Sequence, residues 1–202
     1  MIARKNHGPN ANIDFRTHEI AFAQAQGQLA YYQELERQDI IRLIRTRADL
    51  DAWRASWAAD PVSAPFGFVL LMGGADPIVS PEQARLWWDD GPRMVGLAHY
   101  GPSANAFGTG SADPLTEKGR ELLRIMDELG MMLDVSHLTD ESFHEALDLF
   151  QGSVLASHSN SRALVPGDRQ LDDTMIQRMI ERDGVIEVVM DAWMLQRMTW
   201  EE

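Results

Sequence analysis

Cysteine is absent from this chain of 202 residues. Disulfide bonds and thiolate catalysis are therefore excluded, and a zinc or similar ion would have to be held by histidine, aspartate or glutamate side chains. Because structural zinc sites rely on cysteine, this absence points to a catalytic rather than a structural metal.

Long apolar runs are absent as well. No stretch approaches the roughly 18 continuous apolar residues that a membrane-spanning helix needs. The opening residues MIARKNHGPN have no apolar core of a secretory signal. From the sequence we therefore expect a cytoplasmic protein without a membrane span.

Positive charge is scarce. The chain has 18 Lys and Arg against 31 Asp and Glu, a net charge of −13. Nucleic acids and anionic membranes both require a positive protein face, so neither is an expected partner. The acidic surface alone identifies no other partner.

The composition is that of a globular chain with enough apolar residues for one sizeable core, at 45% hydrophobic and 24% charged. We predict a single domain over residues 1–202. Residues 1–66 form a mostly helical N-terminal segment in this prediction, with helix over residues 20–47 that continues over residues 48–59, and irregular chain before residue 20. Residues 67–202 alternate short β-rich runs with helical patterns, which indicates β/α repeat units.

Five predicted strands follow in this second part. They are residues 67–74, 94–99, 131–135, 154–157 and 185–190. Strands linked by helices indicate a parallel sheet, because parallel neighbours need crossover connections. Their nearly continuous apolar character indicates burial on both faces, as in a barrel or a doubly wound sheet, and the pattern does not separate these two folds.

Histidines stand at the ends of several of these runs. His137 closes MMLDVSH, His158 lies in SVLASHSN, and His99 lies in MVGLAHYG. The carboxyl ends of parallel strands carry the chemistry of α/β proteins, and neutral imidazole is a good zinc ligand. The sequence therefore predicts a metal site that involves His137 and His158.

The segments MGGADPI, GLAHYG, DVSHLTDESF and ASHSNSRAL together resemble the membrane (renal) dipeptidase family of metallopeptidases. The likeness covers most of the chain and is strongest from Gly67 to Leu195. It implies a TIM (β/α)₈ barrel with a two-metal site, usually zinc. It also implies hydrolysis of dipeptides by an activated water.

The resemblance implies a role for four residues. His137 and His158 match the two histidines that hold one of the metals. His99 matches a catalytic histidine that binds the substrate near the scissile bond, and Arg162 matches an arginine that binds the substrate carboxylate. The competing interpretations are structural: hydrogen-bonded strand-end histidines, packing of His99 on Tyr100, and a surface ion pair for Arg162.

The chain departs from the family pattern in three ways. Gly73 stands where the family has a glutamate that bridges both metals, neither His7 nor His18 is followed by Asp two positions later, and a later family aspartate is missing. We therefore expect one zinc ion at His137 and His158, an incomplete second metal site and an incomplete barrel. The chain would then be a fragment or an impaired member of the family.

The predicted function is that of a metal-dependent dipeptidase, acting on a dipeptide or other small substrate. The alternatives are a non-catalytic binding or interaction protein on the same scaffold, and an open α/β domain with another ligand. Exposed sheet edges of an incomplete barrel would also favour a homo-oligomer.

Two minor predictions concern side chains near these histidines. Asp76, Asp134 and Asp191 are either hydrogen-bond acceptors that orient the imidazoles or simple turn and cap residues. Ser157 and His158 are expected to point to opposite faces of their strand, which would keep the two side chains apart.

Overall fold

The structure is a computed structural model that describes residues 15–192, 194 and 195. These residues form an α/β arrangement of six helices and seven short strands. The helices are α1 (His18–Arg37), α2 (Arg47–Ala59), α3 (Ala84–Asp90, entered through a 3₁₀ turn at Pro81–Gln83), α4 (Glu117–Leu129), α5 (Asp140–Leu149) and α6 (Asp173–Glu181). The strands are β1 (Ile41–Leu43), β2 (Phe66–Phe68), β3 (Leu71–Met72), β4 (Met94–Gly96), β5 (Met132–Asp134), β6 (Val154–Ala156) and β7 (Val185–Ile186).

The strands of the described residues pair in parallel. β3 to β7 form one sheet in chain order, and β1 and β2 form a separate two-stranded sheet. One helix lies in each crossover of the larger sheet, from α3 between β3 and β4 to α6 between β6 and β7. The predicted α/β class with parallel β/α units is therefore confirmed. Over the described ranges the larger sheet runs from β3 to β7 without closing on itself.

The core lies between this sheet and its helices. The sheet contributes side chains that are almost completely buried, and the helices pack on them with large apolar residues. The group includes Met72, Val95, Leu133, Ala156, Trp87, Leu122, Met126, Phe143 and Met179. Burial on both faces explains why β4, β5 and β6 read as continuous apolar runs in the sequence.

Side-chain caps fix where the helices of the β/α units begin. Thr116 accepts a hydrogen bond from the backbone N–H of Gly119, and Thr139 accepts one from Ser142. Gly130 ends α4 with a left-handed backbone (φ 75°), which glycine adopts without steric cost. The loops at the carboxyl ends of the strands are therefore held at both ends by regular structure.

The helix predicted over residues 20–47, with its continuation over residues 48–59, is wrong between α1 and α2, where a strand interrupts it. The chain leaves α1 at Gln38, turns at Asp39 with φ 55°, and then forms the short strand β1, in which Ile41 and Leu43 are buried. A new helix starts after Thr46, whose hydroxyl and backbone N–H form a capping box with Asp49. Four of the five residues 40–44 are apolar, a short run that suits a strand as well as a helix, so periodicity alone does not separate the two.

Two strand predictions also need correction. Residues 67–74 contain not one strand but the end of β2 and the whole of β3, which belong to different sheets and are separated by Val69 and Leu70. β7 ends at Ile186, whereas the predicted strand continued to residue 190. The predicted irregular chain before residue 20 lies mostly outside the described residues, and α1 begins at His18. None of the helices in the described part of the chain is long and apolar enough to cross a membrane.

Candidate metal centre

Each of three adjacent strands of the larger sheet is followed by a histidine, and the three histidines lie at the same edge. His99 follows β4, His137 follows β5 and His158 follows β6. One ring nitrogen from each of these residues lies within 4.8 Å of the others. The predicted convergence of strand-end histidines is therefore present, and it includes His99.

His137 and His158 form the tightest part of this cluster. Their Nε2 atoms face each other at 3.0 Å. Two imidazole nitrogens bound to one tetrahedral zinc ion lie about 3.3 Å apart, given Zn–N distances of about 2.0–2.1 Å. The observed spacing is therefore close to the spacing that a shared ion requires.

Thr109 orients the ring of His137. The Thr109 hydroxyl lies 3.1 Å from Nδ1 and 3.5 Å from the carbonyl oxygen of the same residue. When Nδ1–H donates to the hydroxyl and the hydroxyl donates to the carbonyl, Nε2 keeps its lone pair. His137 also has a left-handed backbone (φ 71°), a conformation that is uncommon outside glycine and often found at functional sites.

Asp134 and Ser157 orient the ring of His158. The buried carboxylate of Asp134 accepts hydrogen bonds from the backbone N–H groups of Ser136 and Ser157 through Oδ1, and from the Ser157 hydroxyl through Oδ2 at 2.5 Å. Since the Ser157 hydroxyl donates to a carboxylate, its oxygen accepts from Nδ1–H of His158 at 2.7 Å. Nε2 of His158 therefore carries the lone pair that a metal needs.

This geometry decides two of the minor predictions. Asp134 acts as a hydrogen-bond acceptor that orients an imidazole through Ser157. The expectation that Ser157 and His158 point apart is wrong, because both residues lie beyond the end of β6 at Ala156, where the alternation of strand side chains no longer applies.

Burial and positive charge keep both imidazoles neutral. Burial lowers the pKa of His137 far below its usual range, and Arg169, His99 and His158 lower it further. Burial and Arg169 also lower the pKa of His158, against the opposing effect of Asp134. Neutral imidazole is the form that binds a metal ion.

Arg169 is a site residue that the sequence reasoning missed. One guanidinium nitrogen donates to the carbonyl oxygen of His158 at 2.5 Å, and another lies 3.3 Å from the hydroxyl of Ser159. Burial lowers the pKa of Arg169, whereas Tyr100 and two nearby aspartates raise it. A half-buried guanidinium beside the histidines favours an anionic ligand at this position.

Arg162 lies in the same loop but is engaged elsewhere. Its two terminal nitrogens bind the carboxylate of Asp140, each at 2.7 Å, and Nε and one terminal nitrogen donate to the carbonyl oxygen of Gln170. Asp140 thus occupies the fork that a substrate carboxylate would use. Substrate binding by Arg162 stays a prediction, and Arg169, which lies beside the histidines, is a second candidate for that role.

The ion pair of Arg162 with Asp140 gives a test of its structural role. We expect Asp140→Asn to lower the free energy of unfolding by about 1 kcal/mol at neutral pH, since the pair is bidentate but partly exposed. The hydrogen bond with Arg162 lowers the pKa of Asp140, so its contribution is present at neutral pH and is lost as pH falls through the folded-state pKa. Urea unfolding of both proteins from pH 7 to below pH ~4 measures this; a difference independent of pH would contradict it.

The loop after β4 forms part of the site and is held by backbone hydrogen bonds. The N–H of Gly108 donates to the carbonyl oxygen of Gly101 at 3.0 Å, and the N–H of Thr109 donates to the carbonyl oxygen of His99 at 3.1 Å. A Cβ atom at Gly108 would lie 2.0 Å from that carbonyl oxygen, so only glycine fits there. Gly108 thus serves a close backbone approach within this loop.

The donor set suits a divalent ion such as zinc. Three imidazoles converge, and the other ring nitrogens of two of them are held by hydroxyl groups, the arrangement that typically fixes histidine ligands. Gly73, which follows β3 at the same edge, supplies no donor. The site therefore offers histidine ligands without a bridging carboxylate from this position.

Comparisons with known proteins identify chains that are similar to this one. A family model described as membrane dipeptidase (peptidase family M19) matches residues 18–200. An uncharacterized dipeptidase of Schizosaccharomyces pombe is 35% identical over 115 residues, which cover 54% of this chain and 28% of the relative. The matched segment thus covers less than a third of that relative's length.

Solved structures show the same likeness. A metallopeptidase from Rhodobacter sphaeroides, liganded with a phosphinate mimic of the dipeptide L-Ala-D-Ala, superposes with a TM-score of 0.73 at 25% identity, covering 85% of this chain and 50% of that chain. The probable dipeptidase PvdM from Pseudomonas aeruginosa gives a TM-score of 0.77 at 23% identity, covering 94% of this chain and 48% of that chain. The fold is therefore part of a TIM-type barrel, as predicted.

Proposed function

The chain belongs to the membrane dipeptidase family, peptidase family M19, and on that premise we propose that it is a metal-dependent hydrolase of dipeptides. We further propose that the ion is zinc, held by His137 and His158. The activity of full-length relatives is carried over here as a proposal, because this chain spans about half or less of the relatives described above.

One observation supports this proposal above the others. The Nε2 atoms of two neutral histidines face each other at 3.0 Å, and the opposite nitrogen of each ring is held by a hydroxyl group. When both rings carry their proton on Nδ1, the two Nε2 lone pairs face each other and repel unless a cation or a proton lies between them. In these tautomers the site fits a metal better than it fits a purely structural histidine pair.

A divalent ion held there would polarise the peptide carbonyl and activate a water molecule for attack. The protein side chains have separate tasks. Arg169 would bind the carboxylate of the dipeptide through its guanidinium, and His99 would position the scissile peptide. Asp134, through Ser157, keeps His158 in the tautomer that binds the ion.

Metal content and dipeptide turnover test this function together. We expect the untagged chain to retain about one zinc ion per molecule, to hydrolyse a simple dipeptide, and to lose turnover on chelation and regain it with zinc. His158→Ala should lose both properties. His144→Ala, which removes a histidine from α5 that lies outside the cluster, is the matched control and should keep both. A stoichiometric metal complex without turnover would contradict the hydrolase assignment.

A second candidate function is supported by Gly73. The resemblance implies a bridging glutamate at this position, and glycine has no side chain to bind an ion. The chain would then be a non-catalytic binding or interaction protein that keeps the scaffold and one weakly bound metal.

Gly73→Glu separates the two candidates. If the missing carboxylate limits the chemistry, we expect this variant to bind metal on the order of 10-fold more tightly and to hydrolyse dipeptides faster than the unmodified chain. Gly73→Gln has the same shape without the charge and should give neither gain. Equal behaviour of the two variants would show that the carboxylate is not the limiting group.

We also propose self-association through the open edge of the sheet. β7 is the last strand of the described sheet, and Val185, Val188 and Met190 in and after it are 58%, 71% and 79% exposed. Unpaired edges with apolar side chains favour association between chains. Light scattering should report a dimer or larger species; a monomer that unfolds cooperatively would contradict this proposal.

A further inference from the structure

Three histidines, not two, converge at the functional edge of the sheet. The ring centres of His99 and His137 are 4.0 Å apart with an inclination of 35°, and those of His137 and His158 are 4.9 Å apart. All three offer a nitrogen within 4.8 Å of the others. His99 therefore lies within the same cluster as the two histidines whose Nε2 atoms face each other.

We propose that His99 is the third protein ligand of a single divalent ion, together with His137 and His158. The inference rests on the proposed function, since it presupposes that His137 and His158 bind a metal. It replaces the role that the family resemblance implies and that the proposed function gives to His99, in which His99 positions the substrate, and it replaces two ions that share a carboxylate. In this chain the site would be mononuclear and made of imidazoles.

The composition of the site supports three ligands rather than two. Catalytic zinc sites commonly use three protein ligands and leave one position open for water or substrate. His137 and His158 alone fall short of that number, and Gly73 brings no donor. Within residues 15–192, 194 and 195, the three histidines are the one group of three or more histidine or carboxylate donors that converges in this way.

Thr109 is hydrogen-bonded to both His99 and His137 and so fixes their relative positions. Its backbone N–H donates to the carbonyl oxygen of His99 at 3.1 Å, and its hydroxyl lies 3.1 Å from Nδ1 of His137. Gly108 lets the loop approach the His99 backbone closely enough for this bond to form. A ligand set that binds one ion needs such a shared support, because small displacements weaken coordination.

The tyrosine next to His99 packs on the same two rings. The Tyr100 ring lies 4.9 Å from both the His99 and the His137 ring centres, at steep angles to each. Three uncharged ligands leave the charge of a bound ion uncompensated, and the nearby Arg169 guanidinium adds to it. Such a site should attract anions more strongly than one bridged by a carboxylate.

Titration of the untagged chain with Co²⁺, followed by visible absorption, tests this inference without relying on activity. We expect one Co²⁺ per chain and the strong bands of a four-coordinate ion. Loss of one of three protein ligands predicts that His99→Ala weakens Co²⁺ binding on the order of 10²-fold or more, like His137→Ala. His144→Ala should match the unmodified chain. His99→Asn, a more conservative change, serves if the alanine variant does not fold.

The outcomes separate the two proposals. If His99→Ala binds Co²⁺ with unchanged affinity and spectrum while His137→Ala does not, the third-ligand inference is wrong and the metal site of the proposed function stands. Two ions per chain would overturn the mononuclear site. No saturable binding by the unmodified chain would overturn both proposals.

Discussion

Replacing Asp134 by asparagine is expected to lower the affinity for the metal ion on the order of 10²-fold while the protein stays folded. Dipeptide turnover should fall with it. Metal titration and thermal unfolding of the variant measure the two effects separately.

The reason lies in the hydrogen-bond directions around Ser157. Oδ1 of Asp134 accepts two backbone N–H groups, so the amide oxygen of an asparagine would take that position and its NH₂ group would face Ser157. The Ser157 hydroxyl, which now donates to the carboxylate at 2.5 Å, would have to accept from that NH₂ group and donate to Nδ1 of His158 instead. The neutral imidazole would then carry its proton on Nε2, and the lone pair that binds the ion would be lost.

Asp76→Asn is the matched control for this prediction. Asp76 is also a buried aspartate after a strand at the same edge, but its carboxylate accepts from Ser103 and Ala104 rather than from a residue that orients a histidine. Asp76→Asn should therefore leave the affinity for the metal ion unchanged. If Asp134→Asn folds normally and binds the ion as tightly as the unmodified chain, Asp134 does not set the tautomer of His158.

Replacing Arg169 by lysine is expected to lower kcat/KM for dipeptides on the order of 10²-fold, with metal content unchanged. Lysine keeps the charge but loses the planar fork that binds a carboxylate with two parallel hydrogen bonds. Removing one partner from a desolvated charge pair commonly costs about 2–5 kcal/mol, which covers this loss. Steady-state kinetics with metal-loaded protein measures it.

Arg162→Lys and a dipeptide amide are the controls. Arg162 binds Asp140 in the structure, so Arg162→Lys should reduce stability and leave KM nearly unchanged. A dipeptide amide lacks the carboxylate, so Arg169→Lys should cleave it as slowly as the unmodified chain does. A raised KM in Arg162→Lys together with normal kinetics in Arg169→Lys would show that Arg162, and not Arg169, binds the substrate carboxylate.

Much of the fold beyond residue 67 follows from local chemistry. Thr116, Gly130 and Thr139 lie at the ends of α4 and α5, and the cap at each depends on hydrogen bonds within a few residues of the chain. The convergence of His99, His137 and His158 follows from the parallel pairing of β4, β5 and β6, because adjacent parallel strands end at the same edge. The caps require no knowledge of long-range packing, whereas the convergence requires that these strands pair in chain order.

The failures have a common physical origin. β1 is a short apolar run whose partner is the distant β2, and local periodicity does not encode that pairing. Arg162 and Arg169 lie in one irregular loop, where neither a helical nor a strand period predicts which arginine turns toward the histidines. The sequence does show an arginine eleven positions after His158. Only the folded loop shows that this side chain lies beside the histidines.

The most direct test is X-ray absorption at the zinc edge of the untagged chain loaded with one equivalent of zinc. We expect an ion bound by histidine nitrogens at about 2.0–2.1 Å. Two of these nitrogens belong to His137 and His158, and His99 supplies the third. A first shell made only of oxygen atoms, or an ion that does not remain bound, would contradict the central claim that these strand-end imidazoles share one cation.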